Sequence, residues 1–164
     1  MCYGLQRAYI AVIGPGNEAT ERDCELARQV GYLLAQANVT VLTGGLDGVM
    51  AAAAKGCKEA GGTSVGLLPG SDHADANPHL SISLPTGLGE LRNGLLVRAA
   101  DGLIAVGGSW GTLSELALAK RTGKPVIALA GWHITDQDGT EQPIERAPTA
   151  EAAVQRILAL VNAG

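Results

Sequence analysis

Three glycine clusters constrain this chain more than any other feature. Each stands at the end of a short apolar run and just before a helical stretch. Tyr9–Ile13 runs into Gly14-Pro15-Gly16, Val39–Leu42 into Thr43-Gly44-Gly45, and Leu103–Val106 into Gly107-Gly108-Ser109-Trp110-Gly111. An apolar run without polar alternation belongs to a strand buried on both faces. Strands of that kind, alternating with helical stretches of about 10–15 residues, build a parallel sheet. The expected fold is α/β: a Rossmann-like, doubly wound parallel sheet with helices on both faces, in a single domain over residues 1–164. Ligands of such sheets bind beyond the carboxyl ends of the strands, and all three glycine clusters fall there.

The remaining pattern fills in the alternation. Thr20-Glu21-Arg22-Asp23 is a capping signal for a helix to about Ala37. Asp47 to Ala60 is Ala-rich and helical, closed by Gly61-Gly62, and Thr63 to Leu68 is a third strand. A polar loop, 69–78, precedes a weakly alternating strand at Leu80–Leu84 and a break at Pro85–Gly89. Glu90–Ala100 and Thr112–Arg121 read as helices, Pro125–Leu129 as a strand, 131–148 as irregular, and Thr149–Ala163 as a final amphipathic helix.

Composition narrows the function. Hydrophobic residues make up 46% and charged residues 17%, which excludes a disordered chain. The net charge of −4 comes without any Lys/Arg cluster, so no nucleic-acid partner is expected, while an anion held by backbone N–H groups is compatible with it. No apolar run is long enough for a membrane span, and Met1–Arg7 shows no signal-peptide core. Cys2, Cys24 and Cys57 fit neither a disulfide framework nor a zinc knuckle, and His73, His79 and His133 share no ligand spacing. The expectation is a cytoplasmic protein with no metal site.

Each glycine loop carries two readings. Gly14-Pro15-Gly16-Asn17-Glu18-Ala19 matches the dinucleotide fingerprint G-x-G-x-x-A, but the second strand ends in Thr43-Gly44-Gly45 rather than in an acidic residue, and NAD is not expected. Around Gly44, Gly45 and Gly48 the choice lies between a ligand-approaching backbone and a tight turn with Asp47 as helix cap. In the third loop Thr112 and Glu115 have capping-box spacing, so Glu115 is either a cap or a carboxylate beside an anion-binding helix end. Trp110 is either a stacking platform for a flat ring or a lid or oligomer contact. Arg92 is either a solvated arginine or a bidentate partner of phosphate or carboxylate, with Arg98 a secondary candidate.

The run Gly107-Gly108-Ser109-Trp110-Gly111-Thr112-Leu113-Ser114-Glu115, with Arg92 twenty-three positions before Glu115, resembles the hallmark of the LOG and lysine-decarboxylase-like superfamily. Gly44-Gly45-Leu46-Asp47-Gly48-Val49-Met50 resembles the second motif of those proteins. Thr86-Gly87-Leu88-Gly89-Glu90-Leu91-Arg92-Asn93 is similar to the branch of molybdenum cofactor carrier proteins, and Arg92-Asn93 stands where the hydrolases have Arg-Lys. The resemblance implies a carrier or storage protein for the molybdenum cofactor, or a related phosphorylated pterin or nucleotide. Its binding set would be Gly14, Gly16, Gly44, Gly45, Gly48, Arg92, Asn93, Gly107, Gly108, Ser109, Trp110, Gly111, Thr112 and Glu115. It implies, as the alternative, a nucleoside 5′-monophosphate phosphoribohydrolase in which Arg92 and Glu115 are catalytic. It also implies a homodimer or a dimer of dimers, and the Ala-rich composition of helices 47–60 and 111–121 suits close packing on a twin.

Overall fold

The computed structural model describes residues 7–163; the stretch Met1–Gln6, with Cys2, lies outside them. Seven strands form one parallel sheet: β1 (Tyr9–Ile13), β2 (Thr40–Thr43), β3 (Ser64–Leu68), β4 (Ile82–Pro85), β5 (Gly102–Ala105), β6 (Val126–Ala128) and β7 (Glu145–Arg146). Five helices connect them: α1 (Glu21–Gln36), α2 (Val49–Glu59), α3 (Arg92–Ala99), α4 (Trp110–Arg121) and α5 (Ala150–Asn162). The spatial order β4-β3-β2-β1-β5-β6-β7 shows the double winding directly. The chain works outward from β1 to β4, then returns to lay β5 against the other side of β1. That reversal is the switch point, and it opens a crevice at the carboxyl ends of β1 and β5. Gly14, Gly45 and Gly108 all follow their strands at this same edge.

Unbroken apolar runs dictate a sheet covered on both sides, and both sides are covered. Ile10, Val12, Val41, Ile104 and Ile127 face α1, α2 and α5, packing with Val30, Leu34 and Ile157. Ala11, Ile13, Leu42 and Leu103 face α3 and α4, packing with Leu96, Val97, Leu116 and Ala119. Each fully buried aliphatic side chain contributes about 1.5–3 kcal/mol of transfer free energy. The small residues of α2 are used within the chain: Gly56 and Ala53 lie against backbone of α1 at Arg28 and Gly31. That face of the 47–60 helix is therefore occupied by α1.

The structure departs from the sequence reading at several boundaries. Helix α4 begins at Trp110, two residues before Thr112, because the Ser109 hydroxyl caps it. The stretch read as one helix over Glu90–Ala100 is a 3₁₀ turn, Gly89–Leu91, followed by α3. Asp47 is not a cap; Gly48 stands at the N-cap of α2 and makes no side-chain cap. The 131–148 stretch contains β7, which pairs Glu145 and Arg146 with Ile127 and Ala128 of β6. Two charged residues carry no periodicity, so that strand had no apolar signal. The capping box Thr20–Asp23 forms as read. No described helix is long and apolar enough to cross a membrane.

Candidate active site at the switch point

A cavity of about 370 Å³ opens at the carboxyl edge, within the size range of small-molecule sites. Gly14 and Gly16 form one side, Ser109, Gly111, Thr112 and Glu115 of α4 another, and Arg92 and Asn93 of α3 a third. These eight predicted residues are brought together. Leu46, Met50, Pro69, Gly89 and Glu90 complete the wall and were not singled out from the sequence. A comparable groove of about 350 Å³ lies at α1, but its walls include the Arg28–Glu59 ion pair at 2.9 Å, so its strongest charges already satisfy each other.

Of the other predicted residues, the glycines of the second loop stand behind the wall and Trp110 lies on a neighbouring groove. A β-carbon on Gly44 would collide with Nη1 of Arg92, so the second loop supports the guanidinium from behind. Gly48 has φ +63° and lies against the carbonyl oxygens of Pro15 and Gly16, while Val49 N–H donates to Pro15 O at 3.0 Å. The first and second loops are thereby stitched together. Buried Asn77 fixes the second loop from outside, its Nδ2 donating to Gly45 O at 3.2 Å and Leu46 O at 3.0 Å. That gives the 69–78 loop a structural role that a lone Asn in a polar loop did not reveal. Trp132 packs against Gly108 and pairs with Trp110 in a T-shaped arrangement, at a centroid distance of 5.2 Å and an interplanar angle of 80°. Trp110 is 79% exposed and lines a neighbouring groove with Leu91 and Leu118.

Arg92 and Glu115 dominate the electrostatics. Arg92 is 7% exposed and Glu115 6%, so neither is a solvated surface charge. The solvated reading of Arg92 is overturned because its position, first in α3, turns it onto the packed side with Leu96 and Val97. Its Nε is buried with no hydrogen-bond partner among the described residues. A buried donor without an acceptor is costly, so Arg92 is suited to receive an oxygen of a ligand. Burial lowers the Arg92 pKa, and the Glu115 charge opposes that. Burial pushes the Glu115 carboxyl up to about 7, with Arg92 pulling the other way. At neutral pH the carboxyl is thus poised between its charged and neutral forms.

The capping-box reading of Glu115 is corrected by the helix start. Ser109 is the N-cap, its Oγ accepting from Thr112 N–H at 3.2 Å and meeting Thr112 Oγ1 at 3.0 Å. Thr112 is the third helical residue, so Glu115 lies a full turn further in and has no N-cap amide to bond. The N–H groups of Trp110 and Gly111 remain without intrahelical partners, as at any helix start. With Ser109, Gly111 and Thr112 on the wall, the positive end of α4 faces the cavity. Asn93 ties α3 to α4 through a 3.1 Å bond from Nδ2 to Ser114 Oγ. A site with an unpaired guanidinium, free helical N–H groups and a titratable carboxyl can hold an oxyanion and exchange a proton beside it. Among the described residues no cluster of three metal-ligating side chains occurs.

Residues 7–157 match the model of the SLOG cluster4 family. An uncharacterized protein of Archaeoglobus fulgidus is 42% identical over 120 residues, covering 73% of this chain and 78% of that protein. The structure of the molybdenum cofactor binding protein of Rippkaea orientalis superposes with a TM-score of 0.86 at 34% identity, covering 96% of this chain and 99% of that one. The Moco carrier protein of Chlamydomonas reinhardtii gives 0.84 at 32% identity, covering 97% and 100%.

Proposed function

The chain belongs to the SLOG cluster4 family, and on that premise we propose that it is a cytoplasmic carrier of a phosphorylated pterin, the molybdenum cofactor, working as a homodimer or dimer of dimers. The observation that carries the reading is the buried Arg92 Nε without a partner on the wall of the cavity. A phosphate monoester suits these donors in chemistry: Arg92 supplies a forked donor, and the N–H groups at the start of α4 supply further donors without extra lysines. Gly14, Gly16 and Gly111 offer backbone close to the ligand with no side chain between. The likeness to the Rippkaea and Chlamydomonas proteins supports the pterin as the ring that the phosphate carries.

The test is retention. The protein is expressed in cells that make the cofactor, purified, denatured and oxidised, and the released pterin is read by its fluorescence. Wild type is expected to carry pterin and Arg92→Ala to carry far less. Equal and background-level signals from both would overturn the carrier reading.

A second reading rests on the burial of Glu115 beside Arg92 on the cavity wall, which pushes its carboxyl up to about 7. That is the tuning general acid–base catalysis needs, and it fits hydrolysis of a nucleoside 5′-monophosphate to free base and ribose 5-phosphate. Incubation with AMP or a cytokinin monophosphate separates the two: release of base by wild type and not by Glu115→Gln selects the hydrolase.

A further inference from the structure

The segment between β6 and β7 is built as an arm and contributes nothing to the cavity wall. Gly131, with φ +110°, starts it against the Gly107 carbonyl. Asp136 shapes its tip: its backbone N–H donates to Thr140 O at 3.0 Å, and its Oδ1 accepts from the N–H groups of Asp138 and Thr140, each at 3.0 Å. Gln142 N–H joins the two legs at Ile134 O, at 2.7 Å. A long connection with bonds of its own is more than a spacer, and its use is to be sought in what it touches.

It touches the third glycine loop. The indole of Trp132 lies on Gly108 so closely that a β-carbon there would meet its pyrrole atoms at 2.6–2.8 Å. Arg146 of β7 holds that tryptophan by its main chain, with Nη2 donating to Trp132 O at 2.6 Å. The same guanidinium leans towards the return leg, its Nε 3.7 Å from Glu141 Oε1, and Glu141 meets His133 Nδ1 at 2.7 Å. β7 pairs with β6, and Arg156 pairs with Glu145, so Arg146 is mounted on the sheet.

The place of the contact gives its use. Ser109 and Thr112 stand on the cavity wall and also on an apolar seam that Trp132 closes with Leu116 and Ile144. The seam measures about 10 Å³, too small for a ligand. The start of α4 is therefore a partition, with the cavity on one face and the indole on the other. Gly107, at φ +72°, and Gly108 have no side chains of their own to fix this backbone. We infer that Arg146 and Trp132 are positioning residues: Arg146 clasps the main chain of Trp132, and the indole braces Gly108 so that the N–H groups opening α4 stay aimed at an anion in the cavity. Neither residue touches the ligand. The inference rests on the anion reading of the cavity and extends its support to a part of the chain outside the wall.

Two readouts test it on the full chain. Trp110 and Trp132 are its two tryptophans, so their pairing at 5.2 Å and 80° gives an exciton couplet in circular dichroism that reports the arm without any ligand. Calorimetric titration with inorganic phosphate reports the site. Arg146→Ala is expected to melt close to wild type, to lose the couplet and to bind phosphate about 10-fold more weakly, as removal of a supporting shell does at metal sites. Trp132→Ala is expected to match that affinity. Trp132→Phe keeps a flat ring on Gly108 and is expected to recover most of the affinity without the couplet. These two variants lie on the arm and carry the test if Arg146→Ala fails to fold. A couplet that survives in Arg146→Ala overturns the clasp. Wild-type affinity in both alanine variants overturns the brace, and so does Trp132→Phe binding no better than Trp132→Ala. Wild type that takes up no phosphate overturns the anion reading and this role together. Binding by wild type that Arg92→Ala abolishes and Arg146→Ala leaves intact overturns this role alone.

Discussion

The guanidinium of Arg92 occupies the space that a side chain on Gly44 would need, and the sulfur of Met50 closes the same space. Both neighbours are ends of flexible side chains, so Gly44→Ala should cost the fold about 1 kcal/mol or less while displacing the arginine. The expected outcome is a nearly unchanged melting temperature with anion affinity reduced towards that of Arg92→Ala. Thermal melts paired with sulfate titration by calorimetry measure it. A variant that melts like wild type and binds sulfate equally well would contradict the supporting role of Gly44.

Glu115 sets a pH dependence whose sign follows from burial. Its folded pKa is raised from 4.5 to about 7, so folding disfavours the charged form. The associated stability is fully present below the unfolded value and is lost as pH rises through about 7. The full effect is on the order of 3 kcal/mol. Wild type should therefore lose stability between pH 5 and pH 8 relative to Glu115→Gln, and denaturant melts of both across that range test this. Affinity for sulfate, which does not itself titrate there, should fall over the same window in wild type and stay flat in the variant. Parallel pH profiles for the two proteins would show that Glu115 does not titrate in this range.

Ser109 and Thr112 separate capping from binding. Removing the cap with Ser109→Ala should cost about 1 kcal/mol through the exposed end of α4. Thr112→Val keeps the backbone N–H that Ser109 bonds and deletes only the hydroxyl at 3.0 Å. It should cost less than Ser109→Ala, and comparative chemical denaturation gives the ranking.

Gly48 has no such tolerance. With φ at +63° and a carbonyl oxygen of Gly16 in the path of any β-carbon, Gly48→Ala should destabilise by about 3 kcal/mol or more. The measurable result is a large fall in melting temperature together with loss of the cavity, seen as loss of sulfate binding. A mild effect would mean that the first two loops can move apart.

Sheet and helices were legible because unbroken apolar runs such as Tyr9–Ile13 and the glycines after them leave little choice of architecture. The meeting of Arg92 with Glu115 was accessible only through the resemblance, since nothing local to either residue speaks of the other. Capping misled: T-x-x-E at Thr112 and Glu115 is a valid signature, but Ser109, three residues earlier, competes for the same helix start and wins. Asn77 and Trp132 were invisible because their partners, Gly45 and Gly108, are distant in sequence and reached only through tertiary packing. The interruption before α3 was hidden for another reason: a 3₁₀ turn and an α-helix share nearly the same residue preferences.

Tyr9 donates its backbone N–H to the Asp101 carboxylate at 2.8 Å, across a sequence separation of 92. That bond marks the seam where the opening strand of the chain meets β5. One wall of the crevice is thus made early in synthesis and the other only after more than half of the chain has emerged. A nascent or truncated polypeptide ending before β5 has Gly14, Gly16, Arg92 and Asn93 but lacks Gly107–Thr112 and Glu115, and its β1 has one edge bare. Parallel pairings of such range form late. The cavity is in this way subordinated to completion of the fold, and its walls close together or not at all.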